Sequence, residues 1–459
     1  MRKLLAVFVL LFLLCSLSFS VAPTHAEAQK TVYVVINVDT EGHVSNYSDP
    51  WVGTTNPHPN ADMQDFSNTT PSFVAAVFDN GFRSANRDSF GNSFKITWYC
   101  QMDYVMSQSN YVWADGSSAG VSGYTGIMDL LNETWGAKIA NYGDAFEYHH
   151  HFLTYNGTWE RHDSGPDESY PGYQDIALDH MILDRNFYPS TFRAGYWIMP
   201  PALSSWLDNW LPLDYTPLYG LPWYPTNPTG GRYQVATRYG VTQSDIDLSF
   251  AQAESSGKAV YSDSTHSWED MAQEISSLQG NLTSASTRYP DVNFKYVTAQ
   301  EAVQQYFGYT NLSAPMFTIT SNGSSYTITS SEPLWQNNPY IALKYVDGTY
   351  QHATAVPAGT NRWTVTPQTQ TISVTEIGVG ASDMSFNTNT KTVDDSALPP
   401  SPSPSPSPSP SLTSSPTPIA TANPSPTIPE FLTPSLAIIV ILTTTIALIP
   451  VLKNKQSKR

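Results

Sequence analysis

A run of eight residues, 31–38, constrains the fold of this chain more than any other stretch. It reads Thr-Val-Tyr-Val-Val-Ile-Asn-Val, an almost continuous apolar and β-branched run that is typical of a strand buried on both faces. Two acidic residues, Asp39 and Glu41, follow it directly. Acidic side chains at the carboxyl end of a buried parallel strand lie at the rim where (β/α) barrels place their chemistry. The alternative interpretation is an acidic turn that only closes the strand.

Strand-like and helical patterns alternate along the next part of the chain. Further strand-like runs cover residues 93–99, 145–153, 191–197, 258–266 and 292–297. Segments with helical periodicity lie between these runs, as in 121–141 and 201–211. This alternation is typical of an α/β domain with a parallel sheet. We therefore predict a distorted (β/α) barrel over residues 29–309.

The pattern changes after residue 309, where apolar and polar residues alternate and helical periodicity ends. The alternating segments are 316–328, 340–350 and 363–377. Such alternation indicates a small antiparallel domain, so residues 310–395 are predicted to be an accessory β-sandwich without catalytic groups. Residues 396–430 are a proline–serine repeat that cannot form a core, and we expect them to form an extended stalk.

Both ends of the chain have targeting patterns. Residues 1–28 combine a basic start, an apolar stretch and a final Ala-Glu-Ala, which indicates a signal peptide. Residues 431–452 are an uncharged apolar run long enough to cross a bilayer, and the basic tail 453–459 is expected in the cytoplasm. We expect a protein held at the cell surface by a C-terminal transmembrane helix. Seven Asn-x-Ser/Thr sequons make it a candidate glycoprotein.

Three consecutive histidines, His149, His150 and His151, lie in the strand-like run 145–153. Because strand side chains alternate between faces, His149 and His151 are expected to point one way and His150 the other. Two imidazoles on one face are a plausible half of a metal site, since neutral imidazole is a common zinc ligand. A histidine pair is more often structural polarity, so the metal interpretation needs a carboxylate from elsewhere, such as Glu41. His150 remains the competitor for a ligand position.

The order of these motifs resembles the polysaccharide deacetylase superfamily (NodB homology, carbohydrate esterase family four) over residues 30–308. In that family the first strand ends in a general base and a metal ligand, which the resemblance assigns to Asp39 and Glu41. The family usually has a second Asp where this chain has Glu41. The next motif supplies two ligand histidines, and the resemblance implies His149 and His151. The usual spacing of four residues between them is not present here.

Three later positions complete the resemblance. The segment Phe-Arg-Ala-Gly-Tyr at 192–196 matches a loop whose arginine, here Arg193, orients the base. A further motif supplies an aspartate, for which Asp214 is the candidate. The last motif supplies a histidine general acid, which matches His266 in Thr-His-Ser-Trp. Taken singly, Arg193 is equally consistent with a structural salt bridge, and His266 with a polar residue at a helix start.

The resemblance implies a metal-dependent hydrolase that removes acetyl groups from surface or extracellular glycans, with a divalent ion, expected to be zinc. Its expected partners are an acetylated carbohydrate and the membrane. One alternative is a catalytically inactive glycan-binding surface protein on the same fold. Another is a hydrolase of a different non-peptide C–N bond. The net charge of −17 argues against nucleic acid as a partner, because phosphate binding needs a basic face.

Overall fold

The structure is a computed structural model that describes residues 29–41, 73–102, 110–112, 118–150, 153–155, 159–161, 172–197, 199–217, 222–267, 269–368 and 372–397. The expected signal peptide, transmembrane segment and cytoplasmic tail, and nearly all of the stalk, lie outside these residues. Among the described residues, no helix has both the length and the apolar character that crossing a bilayer requires.

Strands and helices alternate through the first part of the described chain. The strands are β1 (Lys30–Thr40), β2 (Ile96–Gln101), β3 (Asn110–Val112), β4 (Ser118–Ser122), β5 (Ala145–His150), β6 (Leu153–Tyr155), β7 (Trp159–Arg161), β8 (Thr191–Ala194), β9 (Leu213–Asp214), β10 (Tyr233–Gln234), β11 (Thr237–Tyr239), β12 (Lys258–His266) and β13 (Val292–Tyr296). The helices are α1 (Phe73–Val77), α2 (Asn80–Ala85), α3 (Gly126–Tyr142), α4 (Tyr173–Arg185), α5 (Pro201–Trp210), α6 (Gln243–Ser256), α7 (Met271–Arg288) and α8 (Ala299–Phe307).

Strand β1 is the centre of a parallel sheet with the hydrogen-bonded order β10-β9-β8-β5-β2-β1-β12-β11. It pairs with β12 from Thr31 to Asp39, while its other edge pairs first with β13 and then with β2. The two ends of this order, β10 and β11, are consecutive along the chain with two residues between them, so the sheet curves into a ring. A curved parallel sheet with helices against it fits the predicted distorted (β/α) barrel.

The buried run in β1 is covered on both faces, as its composition predicts. Val32, Val34, Ile36 and Val38 belong to the outer core between the sheet and its helices. Tyr33 and Val35 belong to an inner core that also contains residues of helix α8. Because strand side chains alternate, Asn37 and Asp39 continue this inner row towards the carboxyl end of the strand. The alternation therefore places the first acidic residue inside the ring.

Two antiparallel sheets follow the barrel. Their strands are β14 (Phe317–Ser321), β15 (Tyr326–Ser330), β16 (Tyr340–Tyr345), β17 (Tyr350–Ala353), β18 (Ala355–Gly359), β19 (Arg362–Val365), β20 (Val374–Ser382) and β21 (Thr388–Asp394). The sheet orders are β14-β15-β19-β18 and β17-β16-β20-β21, and a separate apolar cluster fills the space they share. The predicted accessory β region is therefore present as extra antiparallel sheets.

The second of these sheets packs directly against helix α4. A Cβ atom on Gly378 would lie 2.5 Å from Cγ2 of Ile182, and one on Gly380 would lie 2.3 Å from Cδ2 of Tyr188. Both distances are far below van der Waals contact, so the sheet reaches the helix only because these strand positions lack side chains. The barrel and the β-sandwich therefore share a close-packed contact in which Tyr340 also donates a hydrogen bond to the carbonyl oxygen of Asp175 (2.8 Å).

Sequence reasoning missed helix α6 and the short strands β10 and β11. The buried face of α6 includes Ser249 beside Ile246 and Phe250, so its apolar periodicity is weak. The two strands have two and three residues, too few to show alternation. Their existence depends on pairing with β9 and β12 and not on a local signal.

Candidate metal centre

The carboxyl end of β1 brings two carboxylates to the rim of the ring. Asp39 is the last inward residue of the strand and is 4% exposed. In the parallel ladder it lies beside Tyr99 of β2 on one side and beside His266 of β12 on the other. Glu41 follows one residue after the strand and is partly exposed. Strand register alone therefore brings an acidic residue and a histidine, 227 positions apart, to the same level of the sheet.

His149 points into the ring from β5. Its Nδ1 lies 3.0 Å from the carbonyl oxygen of Arg193, and because a carbonyl only accepts, Nδ1 carries the proton. Its Nε2 then presents a lone pair and lies 3.5 Å from Oε1 of Glu41. Asp39 is close as well, with Oδ1 3.9 Å from Nδ1. A histidine fixed in this tautomer by a backbone carbonyl is in the form that binds metals.

The neighbouring histidines differ in position. His150 lies on the other face of β5, where its Nδ1 is 3.0 Å from the hydroxyl of Tyr148 and its ring packs edge-on against that tyrosine. This agrees with the expected alternation between His149 and His150. His151 lies outside the described residues, so its predicted role as a second histidine ligand stays a prediction.

Arg193 of β8 is paired with Asp39 inside the ring. Its Nη2 lies 3.2 Å from Oδ2 of Asp39 and donates to Oγ of Ser264 (2.9 Å). The guanidinium also lies over the ring of Trp197, 4.2 Å from its centroid. The other oxygen of Asp39, Oδ1, is buried and has no hydrogen-bond donor among the described residues. One oxygen of Asp39 is thus neutralised, and the other is left to accept a proton or bind a cation.

His266 ends β12 and has a carboxylate on each side. Its Nε2 is 3.9 Å from Oε1 of Glu41, and its Nδ1 is 3.3 Å from Oε2 of Glu269. Burial opposes a charge on the imidazole, but the hydrogen bond to Glu269 and the nearby charges of Glu41 and Asp39 outweigh it and raise the pKa of His266. The two ring nitrogens therefore have different roles, one held by Glu269 and the other directed into the site.

Glu269 is a site residue that sequence reasoning missed. It accepts hydrogen bonds from the hydroxyl of Thr265 (2.8 Å), the backbone N–H of His266 (2.9 Å) and the hydroxyl of Tyr239. Burial works against ionisation, but these donors and the His266 ring lower the pKa of Glu269 to about 2. The available signal was the spacing His-x-x-Glu immediately after a strand. That spacing lets a carboxylate in the following turn reach back to the imidazole.

Asp214 is not brought to this cluster. It is the register partner of Phe192, whose side chain belongs to the outer core, so it lies on the helix side of the sheet. Its Oδ2 accepts from Nε of Arg232 (3.0 Å) and its Oδ1 from the backbone N–H of Thr216 (2.9 Å). The resemblance assigned a catalytic role to this residue. In the structure its carboxylate is engaged in a buried structural ion pair, and Glu269 is the carboxylate that supports the histidine.

The described residues fit a divalent cation. Ligand atoms of Asp39, Glu41 and His266 all lie within 4.8 Å of one another, and Nε2 of His149 lies 3.5 Å from Oε1 of Glu41. Carboxylate oxygens and neutral imidazole nitrogens are the donor set of zinc and similar ions. The buried, donor-free Oδ1 of Asp39 also fits a positively charged neighbour. The expected set of Glu41, His149 and His151 is thus joined by a second possible set.

No protein-family profile matches the chain. No curated protein matches it either. Among solved structures, it is similar to a glycoside hydrolase/deacetylase assignment from Parabacteroides distasonis, with 13% identity, coverage of 77% of this chain and 84% of that one, and a TM-score of 0.36. It is also similar to a bacterial fucosidase bound to an inhibitor, with 9% identity, coverage of 79% of this chain and 93% of that one, and a TM-score of 0.29. A carbohydrate acetylesterase from Xanthomonas citri matches with 12% identity, coverage of 80% of this chain and 79% of that one, and a TM-score of 0.16. These values indicate at most a distant relation.

Proposed function

We propose that this chain is a metal-dependent hydrolase that removes acetyl groups from glycans. The observation that supports it most directly is the convergence of Asp39, Glu41, His149 and His266 at one rim of the barrel. Asp39, Glu41 and His266 lie within 4.8 Å of one another, and His149 is close to both carboxylates. Two of the four have a supporting residue. Arg193 supports Asp39, and Glu269 supports His266. A purely structural cluster has no need for two such oriented pairs.

The metal would be held by Glu41 and His149, with His151 as the third ligand expected from the sequence. When bound, a divalent ion supplies Lewis acidity that activates water and an acyl carbonyl. The carboxylate of Glu41 lies 3.5 Å from Nε2 of His149 and 3.9 Å from Nε2 of His266, so it is within reach of both histidines. It is therefore the central ligand in this proposal.

The flanking residues would move protons. Asp39 accepts the proton of the attacking water through Oδ1, because its other oxygen is engaged by Arg193. His266 donates a proton to the departing amine or alcohol through Nε2, since Nδ1 is held by Glu269. In this proposal a base and an acid lie on either side of the same carboxylate, that of Glu41.

A second ligand set, Asp39 with Glu41 and His266, is also compatible with the geometry. It differs from the first set in a testable way, because it makes His266 a ligand and not a proton donor. In the first set, His266→Ala keeps the metal and loses activity. In the second set, the same substitution loses both.

The experiment is metal analysis of the purified chain together with acetate release from N- and O-acetylated oligosaccharides. Wild-type protein should contain about one divalent ion and release acetate. Asp39→Asn should keep the ion and lose about a hundredfold or more in rate, as expected when a general base is removed. His149→Ala should lose the ion. Wild-type protein that binds no divalent ion would refute the proposal, and metal binding without acetate release would redirect it to another bond.

We place the proposed enzyme outside the membrane. Residues 1–28 support export and residues 431–452 support a C-terminal anchor, both from sequence patterns. Truncation before residue 431 should release active protein into the soluble fraction. Truncated protein that stays in membranes after signal cleavage would show that the topology is wrong.

A further inference from the structure

A second concave site lies where the barrel meets the β-sandwich. We call it the junction cleft, and it has a volume of about 500 Å³. Its barrel wall is the end of helix α5 and the glycine pair 230–231, and its sandwich wall is residues 335–338 with residues 352–355 of the β17–β18 turn. Sites for small molecules in proteins typically measure about 300–1,000 Å³, so the cleft has the size of a ligand site.

The cleft and the candidate metal centre lie at opposite ends of the barrel. A helix that follows a barrel strand starts at the catalytic rim and returns to the opposite end, where the next strand begins. Helix α5 starts after β8 and ends at Trp210, just before β9. Trp210 therefore marks the end of the barrel opposite Asp39. A ligand in the junction cleft would not be the group that reacts.

The walls of the cleft are held rigidly by contacts across the junction. The ring of Trp210 packs edge-on against Tyr340 and His352 of the sandwich, with centroids 5.0 and 5.1 Å away. The carbonyl oxygen of Trp210 accepts from the hydroxyl of Tyr188 (2.6 Å), which in turn accepts from Nε2 of Gln336 (3.1 Å). The two walls are thus cross-linked by aromatic and polar contacts, so the cleft is formed before any ligand binds.

The lining combines aromatic side chains with amide and carboxylate groups. Trp210 and Trp335 are both partly exposed there, and Asn209 and Asn337 are exposed. The exposed amides of Asn209 and Asn337 can both donate to and accept from the O–H groups of a ligand.

The cleft is close to electrically neutral. Asp208, its one acidic lining residue, is paired with Arg232 (2.5 Å), which lies behind the wall. His352 donates from Nδ1 to the carbonyl oxygen of Ile341 (3.1 Å), which leaves Nε2 as an acceptor. Burial lowers the pKa of His352 more than the charge of Asp175 raises it, so the ring is neutral. No lining residue is a lysine or arginine, so the described lining does not favour an anionic ligand.

The glycines at 230 and 231 let the loop approach this ion pair. A Cβ atom on Gly231 would lie 2.6 Å from Oδ1 of Asp208. Gly230 has φ +79°, a conformation that other residues rarely adopt. The loop can therefore lie against helix α5 without filling the cleft.

We propose that the junction cleft binds a neutral sugar unit of a glycan. A pyranose ring has an apolar face of C–H groups, which Trp210 and Trp335 can cover, and an edge of hydroxyls. Those hydroxyls can donate to Nε2 of His352 and can exchange hydrogen bonds with the exposed amides of Asn209 and Asn337. The site needs no metal, so it is independent of the proposed catalytic function. It would hold a second part of the polymer away from the reacting group.

The test is binding of oligosaccharides to the full chain with the metal removed by a chelator. Neutral probes are cellotetraose, xylotetraose and triacetylchitotriose, and the anionic comparison is tetragalacturonate, each measured by titration calorimetry. At least one neutral probe should bind, and more tightly than tetragalacturonate. Thr354→Trp, at an exposed position of the lining, should weaken that binding by at least about tenfold because the indole occupies the cleft.

Two further variants complete the test, one as a control for an added surface indole and one that removes a single amide of the lining. Thr318→Trp adds an indole at an exposed strand position outside the lining and should bind as wild type does. Asn337→Ala removes one exposed amide and should weaken binding without changing the thermal unfolding midpoint. Absence of binding by every neutral probe, a preference for the anionic probe, or wild-type affinity in Thr354→Trp would each overturn the proposal. Because acetate release is not measured, loss of the catalytic proposal leaves this result unaffected.

Discussion

Replacing Arg193 with methionine should remove about 3–5 kcal/mol from the free energy of unfolding of the metal-free protein. The guanidinium and the Asp39 carboxylate are 3.2 Å apart, with side chains 1% and 6% exposed. Coulomb attraction at that distance is about 5 kcal/mol for an effective dielectric constant of about 20. The substitution cancels this attraction, but the cost of burying Asp39 remains. Methionine keeps much of the volume beside Trp197, so little of the loss should come from packing.

A double-mutant cycle isolates the pair. Asp39→Asn alone should also destabilise, since it leaves the guanidinium buried without its counter-charge. The double variant should recover most of the loss, because two neutral side chains of similar volume replace the ion pair. Urea unfolding in chelator would measure all four proteins. A loss below about 1 kcal/mol in Arg193→Met, which is typical of exposed ion pairs, would refute a buried pair in this geometry.

Three further outcomes are expected. His149→Ala should weaken divalent-ion binding by more than the 10–100-fold typical of losing a supporting residue, whereas His150→Ala, on the opposite face of β5, should bind the ion as wild type does; calorimetry with Zn²⁺ decides, and the reverse result would show that the strand register is wrong. Glu269→Gln should lower kcat of acetate release with little change in metal content, because it orients His266 without touching the reacting atoms; unchanged kcat would contradict this positioning role. The stability of Asp179→Asn relative to wild type should be greater at pH 8 than at pH 5. Burial, with the nearby Asp175, raises the pKa of Asp179 well above its usual range, so the native state holds a proton that the unfolded state releases. Between the pKa of Asp179 in the unfolded state and its pKa in the native state, wild-type stability therefore falls by about 1.4 kcal/mol per pH unit, whereas the Asn variant has no such loss. Urea unfolding at the two pH values measures this, and an equal stability difference between variant and wild type at both would contradict it.

Residue-by-residue pattern determined the face on which each candidate side chain lies. The buried run before Asp39 predicts a strand covered on both sides, and its alternation puts Asp39 on the inner row. The same period of two separates His149 from His150 before any coordinates are known. These predictions succeed because side-chain alternation is a local property of an extended backbone.

At Asp214, local sequence pattern does not predict the face of the sheet on which the side chain lies. The resemblance offers Asp214 as a site residue, but this residue lies in β9, which has only two residues and whose register is set by β8. That register pairs Asp214 with Phe192 and not with Arg193, and a shift of one residue would reverse its direction. Only the assembled sheet decides that Asp214 meets Arg232 on the helix side.

The role of Glu269 and the formation of the junction cleft also depend on tertiary structure, because both need contacts between elements that are distant in the sequence. Glu269 lies three positions after His266, but its role depends on Tyr239, which β11 brings alongside β12. The cleft needs Trp210 and His352, which lie 142 positions apart and meet only because the sandwich packs on helix α4. A sequence specifies such contacts through the sum of burial over whole sheets and helices. The individual pairs have no local signature, so chemistry along one strand can be read in advance, while chemistry between elements becomes visible only in the fold.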